Sequence, residues 1–272
     1  MSLPSPVQDV TSRFLAEVDQ RLPGRVTSLF LHGSICWGEF FPGSDIDFVA
    51  LWDELPTGAE LDLLRVAHEH TDAAHPKHAF DGAHCTARDL AGPPAAVEPR
   101  PGSFQGAFDA EGGAGISLVT WHELAERAVT IRGELPPVHT DPTALAEFTR
   151  DNLDTYWRGA VARIEAAGID TFGRNDTAVE WVGLGPARLH HLLTRGHLTS
   201  KSGGGRYLCE LDPRWARIGR EALRLREHPD RPSLYDDPVE RGQDAYDQLV
   251  RIVEDGSALG PAEARPGDAR TP

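Results

Sequence analysis

Residues 31–49 read Leu-His-Gly-Ser-Ile-Cys-Trp-Gly-Glu-Phe-Phe-Pro-Gly-Ser-Asp-Ile-Asp-Phe-Val, and their reading decides the fold. The pair Gly33-Ser34 closes one apolar run, and Asp45 and Asp47 open the next. Side chains alternate along a strand, so carboxylates at i and i+2 point to the same side of a sheet. Like charges held that close are costly unless a cation neutralises them. An oxygen-only donor pair with room for phosphate oxygens suits Mg²⁺, which takes one or two carboxylates plus phosphates and water. Gly33 admits a ligand close to the backbone, and Ser34 adds a hydroxyl and an amide. The pattern predicts a site for a metal ion and a triphosphate, with Asp45 and Asp47 as metal ligands. Gly33, Ser34 and Ser44 are then the phosphate contacts. A bare Asp-x-Asp after a Pro-Gly-Ser turn would be an ordinary strand entry; the Gly-Ser pair ahead of it argues against that.

Working outward, Val26–Leu31 and Ile46–Leu51 read as strands flanking the motif. Val7, Val10, Phe14, Val18 and Leu22 recur at helical spacing, so 6–22 is a helix closed by Pro23-Gly24. Leu61–Glu69 is helical and Phe80–Thr86 is a third strand. Asp81 in that strand is the candidate third carboxylate, either a base or a further metal ligand, although Asp81-Gly82 is also a hairpin-turn signal. Residues 92–115 are rich in Pro, Gly and Ala and are expected to form a loop. Ser117–Ala128 reads as strand-into-helix and Val129–Arg132 as a short strand.

The composition shifts at Leu135-Pro-Pro-Val-His-Thr-Asp-Pro142, which places a domain boundary after residue 138. Helical spacing then dominates over Leu145–Ala167, Thr177–Leu193, Pro213–Leu225 and Pro238–Glu254, a bundle of about four to five helices. The expected fold class is α+β: a small mixed sheet flanked by helices over 1–138, then an all-α bundle over 139–255. Residues 256–272 hold scarcely an apolar side chain and are expected to be a disordered tail.

The chain has 272 residues with 40% apolar and 25% charged side chains, ordinary for a globular protein. A formal charge of −15 lacks the basic face that a general nucleic-acid binder needs and suits a cationic small-molecule partner. Cys36, Cys85 and Cys209 are far apart and show no zinc spacing, so they read as reduced thiols. Neither a signal peptide nor an 18-residue apolar run is apparent, so a cytoplasmic monomer without a membrane span is expected.

Several other features are weaker. His122-Glu123 lacks the second histidine of a zinc-protease helix, and Gly183-Leu-Gly185 lacks the strand and third glycine of a dinucleotide fingerprint. His68, His70, His75 and His78 read as a solvated helix and loop. Gly196-His-Leu-Thr-Ser-Lys201 has the look of a phosphate loop but no glycine before the lysine. Trp157 falls at helical spacing and reads as core.

His32-Gly33-Ser34 with Gly43-Ser44-Asp45-Ile46-Asp47-Phe48 resembles the DNA polymerase β-like nucleotidyltransferases, and among them the bacterial streptomycin/spectinomycin adenylyltransferases. Arg188-Leu189, Gly196–Lys201, Tyr207-Leu208 and Pro213-Arg-Trp215 resemble the C-terminal helical segment of that family. The resemblance spans roughly residues 25–230 and implies an N-terminal nucleotidyltransferase domain followed by a helical substrate- and nucleotide-binding domain. It implies Mg²⁺ as cofactor and ATP as co-substrate, with AMP passing to a hydroxyl of an aminoglycoside-like acceptor and pyrophosphate leaving. Asp45 and Asp47 match the family's magnesium ligands, Asp81 its base, and Lys201 a lysine that reaches the triphosphate. Such an enzyme would confer antibiotic resistance. Ser202-Gly-Gly-Gly-Arg206 departs from the family where a carboxylate is expected; Asp176, Glu180 and Trp181 are the substitutes for an acidic, aromatic acceptor wall. Two rival readings keep the motif: a protein-AMPylating, antitoxin-like enzyme, which is typically shorter, and a nucleotide-binding relative without turnover.

Overall fold

The computed structural model describes residues 3–113 and 115–259. The chain divides into two compact units between Thr140 and Asp141.

In the first unit the apolar stripe of Val7, Val10, Phe14 and Val18 is fully buried along α1 (Ser5–Arg21). The strands are β1 (Val26–Leu31), β2 (Ile46–Trp52), β3 (Phe80–Thr86), β4 (Gly102–Phe104), β5 (Ala107–Asp109) and β6 (Val129–Arg132). They form one mixed sheet in the order β5-β4-β3-β2-β1-β6. Only β2 and β3 run parallel, and α3 (Ala59–Ala74) makes the crossover a parallel pair requires. On one face Phe48, Trp52 and Phe80 pack with α1 and with Leu64 and Ala67 of α3. On the other, Val49, Leu51 and Ala83 pack with Leu90 of α4 (Ala87–Ala91) and with Trp121 and Leu124 of α5 (Leu118–Arg127). Burial on both faces is why these strands read as near-continuous apolar runs.

β1, β3 and β6 have the bounds read from the sequence, and β2 runs one residue further. The segment expected as loop is different. Its β4 and β5 are joined by Gln105 and Gly106, with φ of 52° and 75°, the two-residue turn that matches strand twist. Gly102 is forced: a Cβ there would lie 2.2 Å from the Gly82 carbonyl oxygen, so only glycine lets β4 close on β3. Two three-residue strands carry too little periodicity to be seen in sequence. Ser117 accepts the Thr120 amide and starts α5 directly, so no strand precedes it.

The second unit is all helical in its described residues. Asp141 caps α6 (Pro142–Asn152), a π-turn (Leu153–Trp157) follows, and then come α7 (Arg158–Ala167) and α8 (Ile169–Gly173). The rest is α9 (Asp176–Arg195), α10 (Lys201–Leu211), α11 (Ala216–Glu227) and α12 (Pro238–Ala258). Leu153, Trp157, Val182, Leu208, Ile218 and Leu249 belong to its core. α10 was not expected, because Gly203-Gly204-Gly205 opposes helix formation. The glycines are there for packing: a Cβ on Gly204 would lie 2.9 Å from the Arg188 nitrogen, and one on Gly205 2.7 Å from Leu184. α12 continues to Ala258, so residues 256–258 are helix and not tail; residues 260–272 lie outside the described residues. Among the described residues no helix is long and apolar enough to cross a membrane.

Candidate active site

The parallel ladder of β2 and β3 sets Asp47 directly beside Asp81. Both follow the alternation of Val49 and Ala83 and so leave the sheet on the α5 side. Asp45 lies two residues before Asp47, exposed at the entry to β2. Gly33 and Ser34 begin α2 (Gly33–Cys36), the single turn that follows β1. Gly33 takes φ +58°, and a Cβ on it would lie 1.9 Å from Asp47 Oδ2. The glycine is therefore needed twice, for its left-handed backbone and for the carboxylate packed against it. Ser34 Oγ is buried with no hydrogen-bond partner. Ser44 Oγ instead accepts the Phe41 amide at 3.0 Å, closing the turn before Asp45.

The electrostatics are those of a site short of positive charge. Burial pushes Asp47 up to about 6; His32 opposes this, while Asp45, Glu123 and Asp81 add to it. Asp81 is also raised, by burial first, with the Gln105 amide holding it back and Asp45 adding to the rise. Gln105 N–H donates to Asp81 Oδ1 at 2.8 Å. This bond anchors one oxygen of Asp81 and holds Gln105 in a backbone region that non-glycine residues seldom occupy. Asp72, at the end of α3, is pushed up to about 6 by burial and by Asp81. No arginine or lysine pairs with Asp45, Asp47 or Asp81 among the described residues.

Residues 11–77 match the family model of the nucleotidyltransferase domain. The chain carries a nucleotidyltransferase domain and is an enzyme of that class. No curated protein matches it by sequence. Its fold is shared with spectinomycin adenyltransferase AAD(9) from Enterococcus faecialis, a structure solved with ATP and spectinomycin. The two are 13% identical with a TM-score of 0.60, over 89% of this chain and 99% of that one. The nucleotidyltransferase domain ends, in this match, between the two carboxylate-bearing strands: Asp45 and Asp47 fall inside it and Asp81 just beyond.

Among the described residues no three His, Cys, Asp or Glu side chains are gathered to enclose a metal ion by themselves. A hard cation that arrives with phosphates needs only one or two carboxylates from the protein, and Asp45 and Asp47 have that chemistry. The unpartnered Ser34 hydroxyl and the uncompensated carboxylates fit such a complex.

The remaining residues singled out from the sequence belong to the second unit. Lys201 is exposed at the first position of α10, whose Ser200 cap accepts the Gly203 amide. Asp176 pairs with Arg241 at 2.8 Å and Glu180 with Arg226 at 3.6 Å, so arginines already match the negative charge expected there. Trp181 packs against Trp157 at a tilt of 32° with ring centroids 4.3 Å apart, and Tyr156 meets it edge-on at 5.6 Å. Arg206 pairs with Glu227.

Two residues carry more than the sequence suggested. His68 is buried, not solvated, and bonds His84. Glu123 is buried beside the Gly33 turn, accepting the Gly33 amide at 3.1 Å and the Trp37 indole N–H at 3.0 Å. α5 buries Glu123 together with Thr120, Trp121, His122 and Leu124, and no spacing in the sequence singles it out.

Proposed function

We propose that the protein transfers AMP from ATP to a hydroxyl of a small cationic, aminoglycoside-like acceptor, releasing pyrophosphate with Mg²⁺ as cofactor. The observation that carries this reading is the pairing of Asp47 with Asp81 beside Gly33 and Ser34, with no arginine or lysine paired to either among the described residues. Asp45 and Asp47 would hold Mg²⁺, which when bound supplies positive charge to the triphosphate and the departing pyrophosphate. Ser34 offers its unpartnered hydroxyl to a phosphate oxygen.

Asp81 accepts the Gln105 amide on Oδ1 and also bonds the Gly106 backbone, so the β4–β5 turn fixes the carboxylate that is to receive the proton. The acceptor hydroxyl oxygen bonds to the α-phosphorus as its proton passes to Asp81, and the bond from that phosphorus to the bridging oxygen breaks. The raised proton affinity of Asp81 suits it to that exchange. Catalysis then rests on alignment and charge, with no covalent enzyme intermediate. The clustered charge of Asp45, Asp72 and Asp81 and the overall −15 favour an acceptor bearing amines.

The test is pyrophosphate release from MgATP with streptomycin, spectinomycin and a wider panel of aminocyclitols and aminoglycosides. Release that depends on one of these acceptors is expected. Labelled protein bands from a lysate given labelled ATP, with silence across the panel, would replace the small acceptor by a protein.

A further inference from the structure

Glu123 comes from α5, yet it holds both ends of the turn that bears Ser34. Oε2 accepts Gly33 N–H at 3.1 Å, and Oε1 accepts the indole N–H of Trp37 at 3.0 Å. His32 Nδ1 lies 3.6 Å from Oε2, just ahead of the turn. Four residues on, Arg127 sets its guanidinium 4.0 Å from the centre of the Trp37 ring. α5 therefore grips Trp37 by edge and by face, and Gly33 by its backbone. The Gly33 amide is committed to this carboxylate and is not on offer to a phosphate. What the turn leaves unpartnered is the Ser34 hydroxyl.

We propose that Glu123 is a positioning residue for the nucleotide: by pinning Gly33 and Trp37 it presents Ser34 to the phosphates. The proposal rests on the nucleotidyl-transfer reading and deepens it. A turn fixed in advance spares the ordering cost that binding would otherwise carry. The gain is made in the ground state and the transition state alike, so its loss raises KM for ATP and leaves kcat nearly unchanged. Charge alone predicts the opposite sign. A carboxylate near phosphates repels them, so neutralising it would tighten nucleotide binding if electrostatics were its whole effect.

The experiment is calorimetric titration of the full chain with ATP in Mg²⁺, comparing wild type with Glu123→Gln, Trp37→Phe and the double variant. Glutamine keeps the size and one acceptor but cannot serve both donors. Glu123→Gln is expected to weaken ATP binding about 10-fold, the scale of one lost hydrogen bond to a charged group. Trp37→Phe should weaken it about 3-fold, and the double variant should bind no worse than Glu123→Gln alone, as for two residues acting through one clamp. Equal or tighter binding by Glu123→Gln overturns the clamp while leaving the reaction in place. If that variant does not fold, unchanged binding by Trp37→Phe overturns it instead. A wild type that binds no ATP overturns the clamp and the reaction reading together.

Discussion

On one face of the β2–β3 pair, Trp52 donates its indole N–H to His84 Nδ1 at 2.9 Å, and His84 meets His68 Nε2 to Nε2, also at 2.9 Å. On the other face Asp47 and Asp81 stand side by side with no arginine or lysine paired to them among the described residues. The first face carries no charge and leaves one buried donor, His68 Nδ1, without a partner. Trp52 can only donate, so the His84 proton sits on Nε2 and points at an unprotonated His68 Nε2, and the His68 proton sits on Nδ1. Phe14, Phe48, Phe80 and Phe108 surround the pair, and burial holds His68 at about 3 and His84 well below its ordinary value. Both rings are thus neutral. The second face holds carboxylates whose proton affinity burial raises, which costs stability when they ionise and favours a ligand that brings positive charge. Two faces a strand's thickness apart thus serve folding and chemistry separately.

That contrast can be broken most severely at Asp47. Asp47→Asn should lower turnover by at least about 10²–10³-fold, the scale of losing one charged group aimed at the reacting centre. The same change should raise the melting temperature at pH 8. Burial lifts the Asp47 proton affinity to about 6, so above that pH the folded state carries an ionised group it disfavours. Loss of activity with a lowered melting temperature would mean that the carboxylate is structural.

The opposite face should show itself in the pH dependence of stability. The folded values of His68 and His84 are depressed, so their stability is complete above the unfolded value near 6.5 and drains away as pH falls towards about 3. The unfolding midpoint should therefore fall between about pH 6.5 and 5, and more steeply in Asp47→Asn, because Asp47, raised to about 6, takes up a proton there in the folded state and opposes the histidines. A profile in Asp47→Asn no steeper than that of the wild type would contradict the neutral pair. The smallest effect is expected far along the chain, at Gly204→Ala. Alanine gains about 1 kcal/mol of helix propensity but drives a methyl into the Arg188 and Leu184 backbone, and overpacking costs about 1–3 kcal/mol. Denaturant unfolding should show a net loss of up to about 2 kcal/mol.

The site was legible in part because its core lies in one short stretch. Gly33, Ser34, Asp45 and Asp47 are close in sequence, and period-two alternation alone puts the two aspartates on one side. Asp81 could be guessed only from a third apolar run. Glu123 could not be found that way: ninety residues from Gly33, it meets the turn only because α5 covers that face of the sheet. The β4–β5 hairpin was missed for a related reason. Its residues are fixed by what they touch, Gly102 by the Gly82 carbonyl and Gln105 by the Asp81 carboxylate, and neither contact leaves a periodic trace.

What the chain's order of residues determined unaided was whatever repeats locally: three strand spans, the long amphipathic helices, the change from sheet to bundle, and a carboxylate pair after a glycine–serine turn. Those follow from side-chain alternation and hydrophobic spacing, which act over a few residues. Tertiary structure alone decided which buried polar groups are satisfied and which are left for a ligand. Whether a histidine is neutral, an aspartate strained or a glycine indispensable depends on neighbours brought in from elsewhere in the chain, and no local pattern encodes them.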